Sequence, residues 1–429
     1  MTGESSLDCI VVGGGLAGLA CGLTLQSAGR RVKILEASDR IGGRVATDEV
    51  DGFRVDRGFQ VYLDAYPEGQ RFLTLQSLQL GRFESGALIA EGSRLLTIAD
   101  PWRCPVEAVR GLLGGTVGLI DAVKIARLRS RLLARLQAGT LGETAGKAVR
   151  STREMLLEQG FSERVLRRFF EPFFGGVFLE RGLATSADVF EFTFAMFALG
   201  SGCLPAGGMA AIPRQLAGRL ADDALETGCE VAVVEPGLVR LADGRELRAG
   251  AIVVATDFDA AGRLLPDRVP ASATERHWKG TQLVAFAADR SPLQAPRLLV
   301  VADAARHAVA GPIDNLTVPS DVAAGYAPSG QSLITVSVRS DWIGEQSLEE
   351  AVRQQARQWF GEAVLSWRHL TTIDVPRSLP EETPEARGRR PASSLGDGLF
   401  LCGDHLTTSS INGALKSGRL CGEAVLAAG

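Results

Sequence analysis

The stretch that most constrains this chain runs from Asp8 to Arg44, DCIVVGGGLAGLACGLTLQSAGRRVKILEASDRIGGR. Cys9-Ile10-Val11-Val12 is a short apolar run of the kind a buried parallel strand requires. Gly13, Gly15 and Gly18 then fill a G-x-G-x-x-G pattern, and each has its own physical task. Gly13 permits a tight turn out of the strand, Gly15 lets a diphosphate meet bare backbone, and Gly18 lets the next helix pack close to the sheet. That helix is expected from Leu16 to Ser27. Its first residues, Leu16 and Ala17, carry free N–H groups at the positive end of the helix dipole, a good seat for phosphate. Arg31 to Leu35 reads as a second strand. Glu36 at its end, followed by Ala37, offers a carboxylate to the two hydroxyls of an adenosine ribose and would repel a 2′-phosphate.

Arg40-Ile41-Gly42-Gly43-Arg44 follows the acid directly. Here the chain resembles the flavin amine oxidase superfamily, which also holds phytoene desaturases and protoporphyrinogen oxidase. The resemblance implies that Gly42, Gly43 and Arg44 complete an FAD site, with the arginine on the diphosphate. A guanidinium suits that task because its fork pairs with two oxygens at once. It further implies that Gly58, Phe59 and Gln60 lie near the pyrimidine edge or N5 side of the flavin. The second specific motif is C-terminal: Gly398 to Asp404, then Ser409-Ser410-Ile411-Asn412-Gly413-Ala414. By the same resemblance, Gly403 and Asp404 meet the diphosphate and ribityl chain, and the helix opening at Asn412, Gly413 and Ala414 points its N-terminus at flavin O2. Negative charge collects there on reduction, and a helix dipole end stabilises it. Between these ends, Pro205 to Met209 resembles the family's P-x-G-G-M turn, which implies that Gly207 and Gly208 approach the flavin.

The chain has 429 residues, too many for one ordinary core, so two domains are expected. The fold class expected is α/β, α+β overall: a Rossmann-like FAD-binding domain (1–66, 205–265, 396–429) and a substrate domain (67–204, 266–395) of antiparallel sheet with a helical insertion. The sheet strands are expected at Gln282 to Asp289, Arg297 to Asp303, Asn315 to Pro319, Leu333 to Arg339 and Thr371 to Val375. Helices are expected at Gly69 to Leu80 and Leu348 to Phe360, and Glu381 to Ser394 reads as a polar connector.

Net charge is −4, which offers no bulk attraction to nucleic acid. No apolar run reaches the roughly 18–20 residues of a membrane span, and no basic segment opens a signal peptide. The seven cysteines are scattered, with no C-x-x-C and no zinc spacing, so no metal is expected. They read as reduced core residues of a cytoplasmic protein. The sequence sets neither an oligomeric state nor an electron acceptor.

The stretch 117–136 is an amphipathic basic helix in which Lys124, Arg127, Arg129, Arg131 and Arg135 interleave with leucines. Two readings stand: a solvated face whose stems cover apolar surface, or a peripheral membrane contact that admits a lipophilic substrate. Phe169, Phe170, Phe173, Phe174, Phe178, Phe190, Phe192, Phe194 and Phe197 are core candidates that could also line an apolar substrate cavity. Arg167, Arg168 and Glu171 beside them read as surface ion pairs or as a polar handle in that cavity.

The resemblance implies oxidation of an apolar or amphipathic small molecule by hydride transfer to flavin N5, either C–C desaturation or C–N amine oxidation. Amine oxidases keep a lysine near N5. Lys279 stands near that region but off the expected strand, where it reads as a surface lysine. No tyrosine precedes Asn412 to complete an amine cage. The competing class is a protein that holds FAD for structure or sensing without turnover.

Overall fold

The computed structural model describes residues 7–106, 117–141, 150–270, 277–302, 311–339 and 342–429. Its first sheet is parallel at the centre, in the order Leu225–Glu226, Val32–Leu35, Leu7–Val12, Glu246–Val254, Leu399–Leu401. Both faces are covered, which is why these strands read as continuous apolar runs. Alternation sends Cys9 and Val11 into one hydrophobic cluster, and Ile10 and Val12 into another on the opposite face. The N-terminal half of Glu246–Val254 leaves the parallel pairing and joins an antiparallel meander with Leu238–Leu241 and Val231–Glu235. Asp243-Gly244 turns that meander, with Gly244 at φ 90°.

Helices Leu16–Ser27 and Ile411–Ala428 lie together on one face of this sheet. Small residues let them touch: a Cβ on Gly418 would overlap the Ala17 carbonyl, and one on Gly422 would stand 3.0 Å from Thr24. The two ends of the chain are thereby held side by side.

The second sheet has seven strands: Arg368–Pro380, Trp278–Ala288, Ser332–Arg339, Ile313–Thr317, Leu298–Val301, Gly86–Glu91 and Arg94–Ala99. It is mixed rather than purely antiparallel, because Gly86–Glu91 enters from far upstream and pairs parallel with Leu298–Val301. Helix Leu348–Phe360 covers the outer face, where Val352 and Ala356 pack on Val284, Phe286 and Val336. The inner face, with Leu283, Ala285 and Leu333, joins the cluster that also holds Leu19 and Phe174. One continuous apolar core therefore runs from the first helix to the phenylalanine-rich insertion.

Three expectations need correction. The helix expected over 69–80 is split into Pro67–Phe72 and a short turn Leu75–Leu78. The cause is tertiary: the Gln215 side chain accepts from Thr74 N–H and donates to its carbonyl, holding that residue extended. The last strand is thirteen residues, Arg368–Pro380, not five. Its many polar residues suit an edge strand, which hides them from a propensity reading. Finally, 381–394 is no loose connector. It contains helix Pro384–Gly388 and a buried ion network in which Glu382 accepts from Arg387 (2.7 Å), Arg390 (2.9 Å) and Ser409 Oγ (2.5 Å). Arg387 also pairs with Asp188.

Helix Leu119–Gln137 occupies the expected basic stretch, but its cations are mostly consumed internally. Arg131 and Arg135 pair with Glu191, Lys124 donates to the Gly160 carbonyl, and Arg129 donates to the Ala198 carbonyl while lying over the Trp102 ring. Leu128 and Leu132 are buried. Parts of the surrounding insertion expected to be helical, 107–116 and 142–149, lie outside the described residues. No helix among the described residues is long and apolar enough to cross a membrane.

Candidate functional site

Strand Leu7–Val12 delivers the chain into the glycine loop, and the three glycines divide their work as the pattern requires. Gly13 adopts φ 112°, and a Cβ there would press on the Ala255 carbonyl at 2.9 Å. A Cβ on Gly18 would collide with the Gly13 carbonyl oxygen, so the helix can sit this close only without one. Gly15 is the opposite case, since a Cβ there meets nothing within 4 Å and would project into open space. Glu36, at the end of Val32–Leu35, is held on both oxygens: Oε2 accepts from Gly14 N–H (2.7 Å), and Oε1 from Ser38 N–H (2.9 Å) and Oγ (2.8 Å). The second glycine pair docks on the first, because Gly42 N–H donates to the Gly14 carbonyl (2.9 Å) and a Cβ on Gly43 would lie 3.6 Å from Gly15 Cα.

Arg44 joins the two ends of the chain. Its Nη2 is 2.5 Å from Asp404 Oδ1, and its Nη1 donates to the Ser378 carbonyl (3.2 Å). Burial alone would push the Asp404 carboxyl up; the adjacent Arg44 guanidinium overrides it and holds the group below its ordinary range. Gly403 N–H donates to Ser417 Oγ (2.9 Å), which fixes this turn to the final helix. Gln60 Nε2 donates to the Arg44 and Arg57 carbonyls, both at 2.8 Å, so the Gly58–Gln60 turn is pinned beside the arginine.

One cavity of about 1070 Å³ connects all of this. Its wall includes Gly13, Gly15, Leu16, Ala17, Glu36, Ala37, Gly42, Gly43, Arg44, Gly58, Phe59, Gln60, Gly403, Asp404 and Ala414. Three residues of the two terminal motifs stand behind the wall. Gly18 acts through helix packing. Asn412, which is buried, turns its Oδ1 to accept from Glu68 N–H (3.0 Å). Gly413 N–H is taken by the capping Ser410 Oγ (3.0 Å). The end of helix Ile411–Ala428 instead faces the cavity through Ser410, Ile411 and Ala414.

The family described as flavin containing amine oxidoreductase matches residues 16–426. This chain belongs to that family. Coproporphyrinogen III oxidase of Propionibacterium freudenreichii subsp. freudenreichii is 25% identical over 392 residues, covering 78% of this chain and 73% of its own. Phytoene dehydrogenase of Streptomyces griseus is 30% identical over 298 residues, covering 60% of this chain and 55% of its own. A double mutant of putrescine oxidase shares the fold with a TM-score of 0.74 at 14% identity, covering 99% of this chain and 100% of its own. The protein is thus an FAD-dependent oxidoreductase with a small-molecule substrate.

In this flavin amine oxidoreductase the cavity extends past Phe59 into a chamber walled by Phe83, Phe169, Phe173, Phe174, Phe194 and Phe197. Phe170 and Phe190 are fully buried in the core behind it, so the phenylalanine cluster is divided between core and cavity wall. Arg168 pairs with Glu91 and Glu171 with Arg153, neither on the cavity wall. Lys279 requires correction: it lies on strand Trp278–Ala288 with its side chain largely buried, 2.5 Å from Glu180. Neither residue of that pair lines the cavity, and Trp278 and Thr281 occupy the wall instead. The Gly207-Gly208 turn also differs from expectation. It packs on Thr47 and sends Met209 N–H to Asp56 (3.0 Å), and neither glycine reaches the cavity.

Sequence reasoning missed the wall formed by Cys229, Glu230, Val231 and Ala232, at the start of the meander near Glu36. The signal was present but short: Gly228, whose N–H donates to the Ser38 carbonyl (2.8 Å), brings that strand to the acid.

Proposed function

We propose that the cavity holds FAD at its glycine-loop end and a small apolar or amphipathic substrate in its phenylalanine chamber. The carrying observation is continuity: a single cavity touches Gly15, Glu36, Arg44, Ala414 and Phe173. In this reading Gly13, Gly15, Leu16, Ala17 and Gly18 seat the diphosphate, Glu36 and Ala37 take the ribose, and the Val231 backbone flanks the adenine. Gly42, Gly43 and Arg44, with Gly403 and Asp404, enclose the diphosphate and ribityl chain. Gly58, Phe59 and Gln60 line one edge of the ring. The N-terminal turn from Ser410 to Ala414 presents its dipole to the other edge, with Asn412 and Gly413 as its framework. The donor set fits the group, since Gly15 leaves room for an anion and the Glu36 carboxylate is already oriented by Gly14 and Ser38. FAD, when bound, supplies the two-electron acceptor. The chain supplies orientation, exclusion of water and a fixed positive edge.

Residues 1–66, 205–265 and 396–429 form the FAD-binding part, and 67–204 and 266–395 the substrate part. The oxidation is either C–C desaturation or C–N oxidation, as in the phytoene dehydrogenase and putrescine oxidase the chain resembles. With the Lys279 ammonium committed to Glu180, no lysine among the described residues lines the chamber. Anaerobic mixing of the purified yellow protein with amines and with polyenes tests the reading. Bleaching by one class identifies it; bleaching by neither overturns the assignment.

A peripheral membrane contact is supported by one feature. Leu119, Ile120 and Val123, exposed by 74%, 73% and 50%, stand beside Ala122 and Ile125 on the cavity wall. A cytoplasmic protein resting there on a bilayer would take a lipophilic substrate directly into the chamber. Co-sedimentation with anionic vesicles, lost in Ile120→Glu, tests it.

A further inference from the structure

The inner face of the second sheet carries a polar spot that the apolar chamber does not explain. On strand Ser332–Arg339, Val336 and Val338 point to the outer cluster, so Ser337 points inward, and it lines the cavity. Asn315 is its direct partner on strand Ile313–Thr317 and shares that face. Asn315 itself stands behind the wall, with its amide nitrogen towards it: a Cβ on Gly176, a wall residue, would lie 3.7 Å from Asn315 Nδ2. Both residues are only 2% exposed. Ser337 Oγ and Asn315 Oδ1 have no hydrogen-bond partner among the described residues. Nearby polar side chains on the same face behave differently: Thr281 Oγ1 donates to the Val338 carbonyl, and Thr317 and Thr335 bond to each other at 2.8 Å. Burying an acceptor with no partner is costly, and natural cores rarely do it twice at one spot.

We infer that Ser337 and Asn315 form the substrate's polar contact, selecting an otherwise apolar molecule that bears an N–H or O–H donor. This rests on the proposed use of the chamber as the substrate site. Ser337 Oγ, on the wall, accepts from the donor, and the Asn315 amide paired with it in the sheet completes the polar spot. The pair lies one step along the sheet from Thr281, since Leu283 is the cross-strand partner of Ser337. Thr281 Cγ2 in turn would stand 3.4 Å from a Cβ on Gly58, on the proposed flavin wall. The recognised group therefore lies near the oxidised bond. A pure hydrocarbon leaves both atoms unpaired and is rejected on that ground.

The test uses the holoenzyme and two isomeric probes, octanol and heptyl methyl ether, of which only the alcohol donates a hydrogen bond. Affinities are read by calorimetry, which does not depend on the flavin. A colourless protein would defeat the functional reading while leaving this preference measurable. The native protein is expected to bind octanol about tenfold more tightly than the ether. Ser337→Ala, which deletes one oxygen, and Asn315→Leu, of similar volume, are expected to collapse that preference without lowering flavin content. Equal affinities in the native protein, no binding of octanol, or a preference intact in both variants overturns the inference and leaves an ordered water as the pair's only partner.

Discussion

Gly15 caps helix Leu16–Ser27 and Gly18 lies three residues on, in its first turn, and the structure assigns them different penalties. A Cβ on Gly18 would stand 2.0 Å from the Gly13 carbonyl oxygen, a full ångström inside the 3.0 Å limit for real contacts. That oxygen belongs to backbone fixed at φ 112° and cannot swing aside. Overpacking of this kind costs about 1–3 kcal/mol, and the helix-propensity gain from Gly to Ala returns at most about 1 kcal/mol. Gly18→Ala should therefore destabilise the protein even when stripped of flavin, by about 2 kcal/mol. Gly15 has φ −72° and ψ 176°, open to any residue, and its Cβ direction is empty. Loss of glycine at this helix-capping position costs under about 1 kcal/mol. Gly15→Val should leave apoprotein stability nearly unchanged while its methyl groups fill the space assigned to the diphosphate, so the variant purifies colourless. Urea unfolding of the three apoproteins, with the flavin-to-protein ratio of each as purified, separates the two effects. Equal destabilisation by both substitutions, or a yellow Gly15→Val protein, would refute the reasoning.

Further outcomes follow from other contacts. Glu36→Ala should weaken FAD retention by about 1–3 kcal/mol, through the lost charged hydrogen bonds to ribose; FAD titration of apoprotein measures it, and unchanged affinity contradicts the assignment. Lys279→Met should strand the buried Glu180 carboxylate and cost about 3 kcal/mol of stability without changing the flavin reduction rate. A rate loss at unchanged melting temperature would place that lysine in the chemistry instead. Asp56 is buried, and although Thr47, the Tyr326 O–H (2.6 Å) and Met209 N–H donate to it, burial pushes its carboxyl from 3.8 to about 6. The folded state thus binds this proton more tightly than the unfolded chain. Through this group stability is fully present below about pH 4 and falls by about 3 kcal/mol as pH rises through 6. Asp56→Asn should remove that slope from a melting-temperature profile, and an unchanged profile would contradict it.

The parts of the fold that were readable from the sequence are those fixed by local chemistry. The strand, glycine turn, helix, strand and acid from Cys9 to Glu36 are specified by neighbours in sequence, and the structure reproduces them in order, with strand ends within two residues of those expected. Gly403-Asp404 and the helix after Ser410 were legible for the same reason. What escaped depended on partners far along the chain. Thr74 is pulled out of a helix by Gln215, Lys279 is paired with Glu180, and Glu382 is buried in the polar 381–390 stretch because Arg387 and Arg390 neutralise it, with Asp188 alongside. Asn412 belongs to the expected motif, yet its side chain serves the helix at Pro67–Phe72 rather than the cavity. Composition and spacing carry no trace of such pairings, which only the folded chain creates.

The central claim is that both ends of the polypeptide close on one FAD. A crystal structure of the yellow holoprotein tests it most directly. The account predicts one dinucleotide per chain, with its ribose at Glu36, its diphosphate over Gly15 and its ring between the Gly58–Gln60 turn and Ile411. A flavin bound elsewhere, or crystals grown with excess FAD that hold none in this cavity, would contradict it.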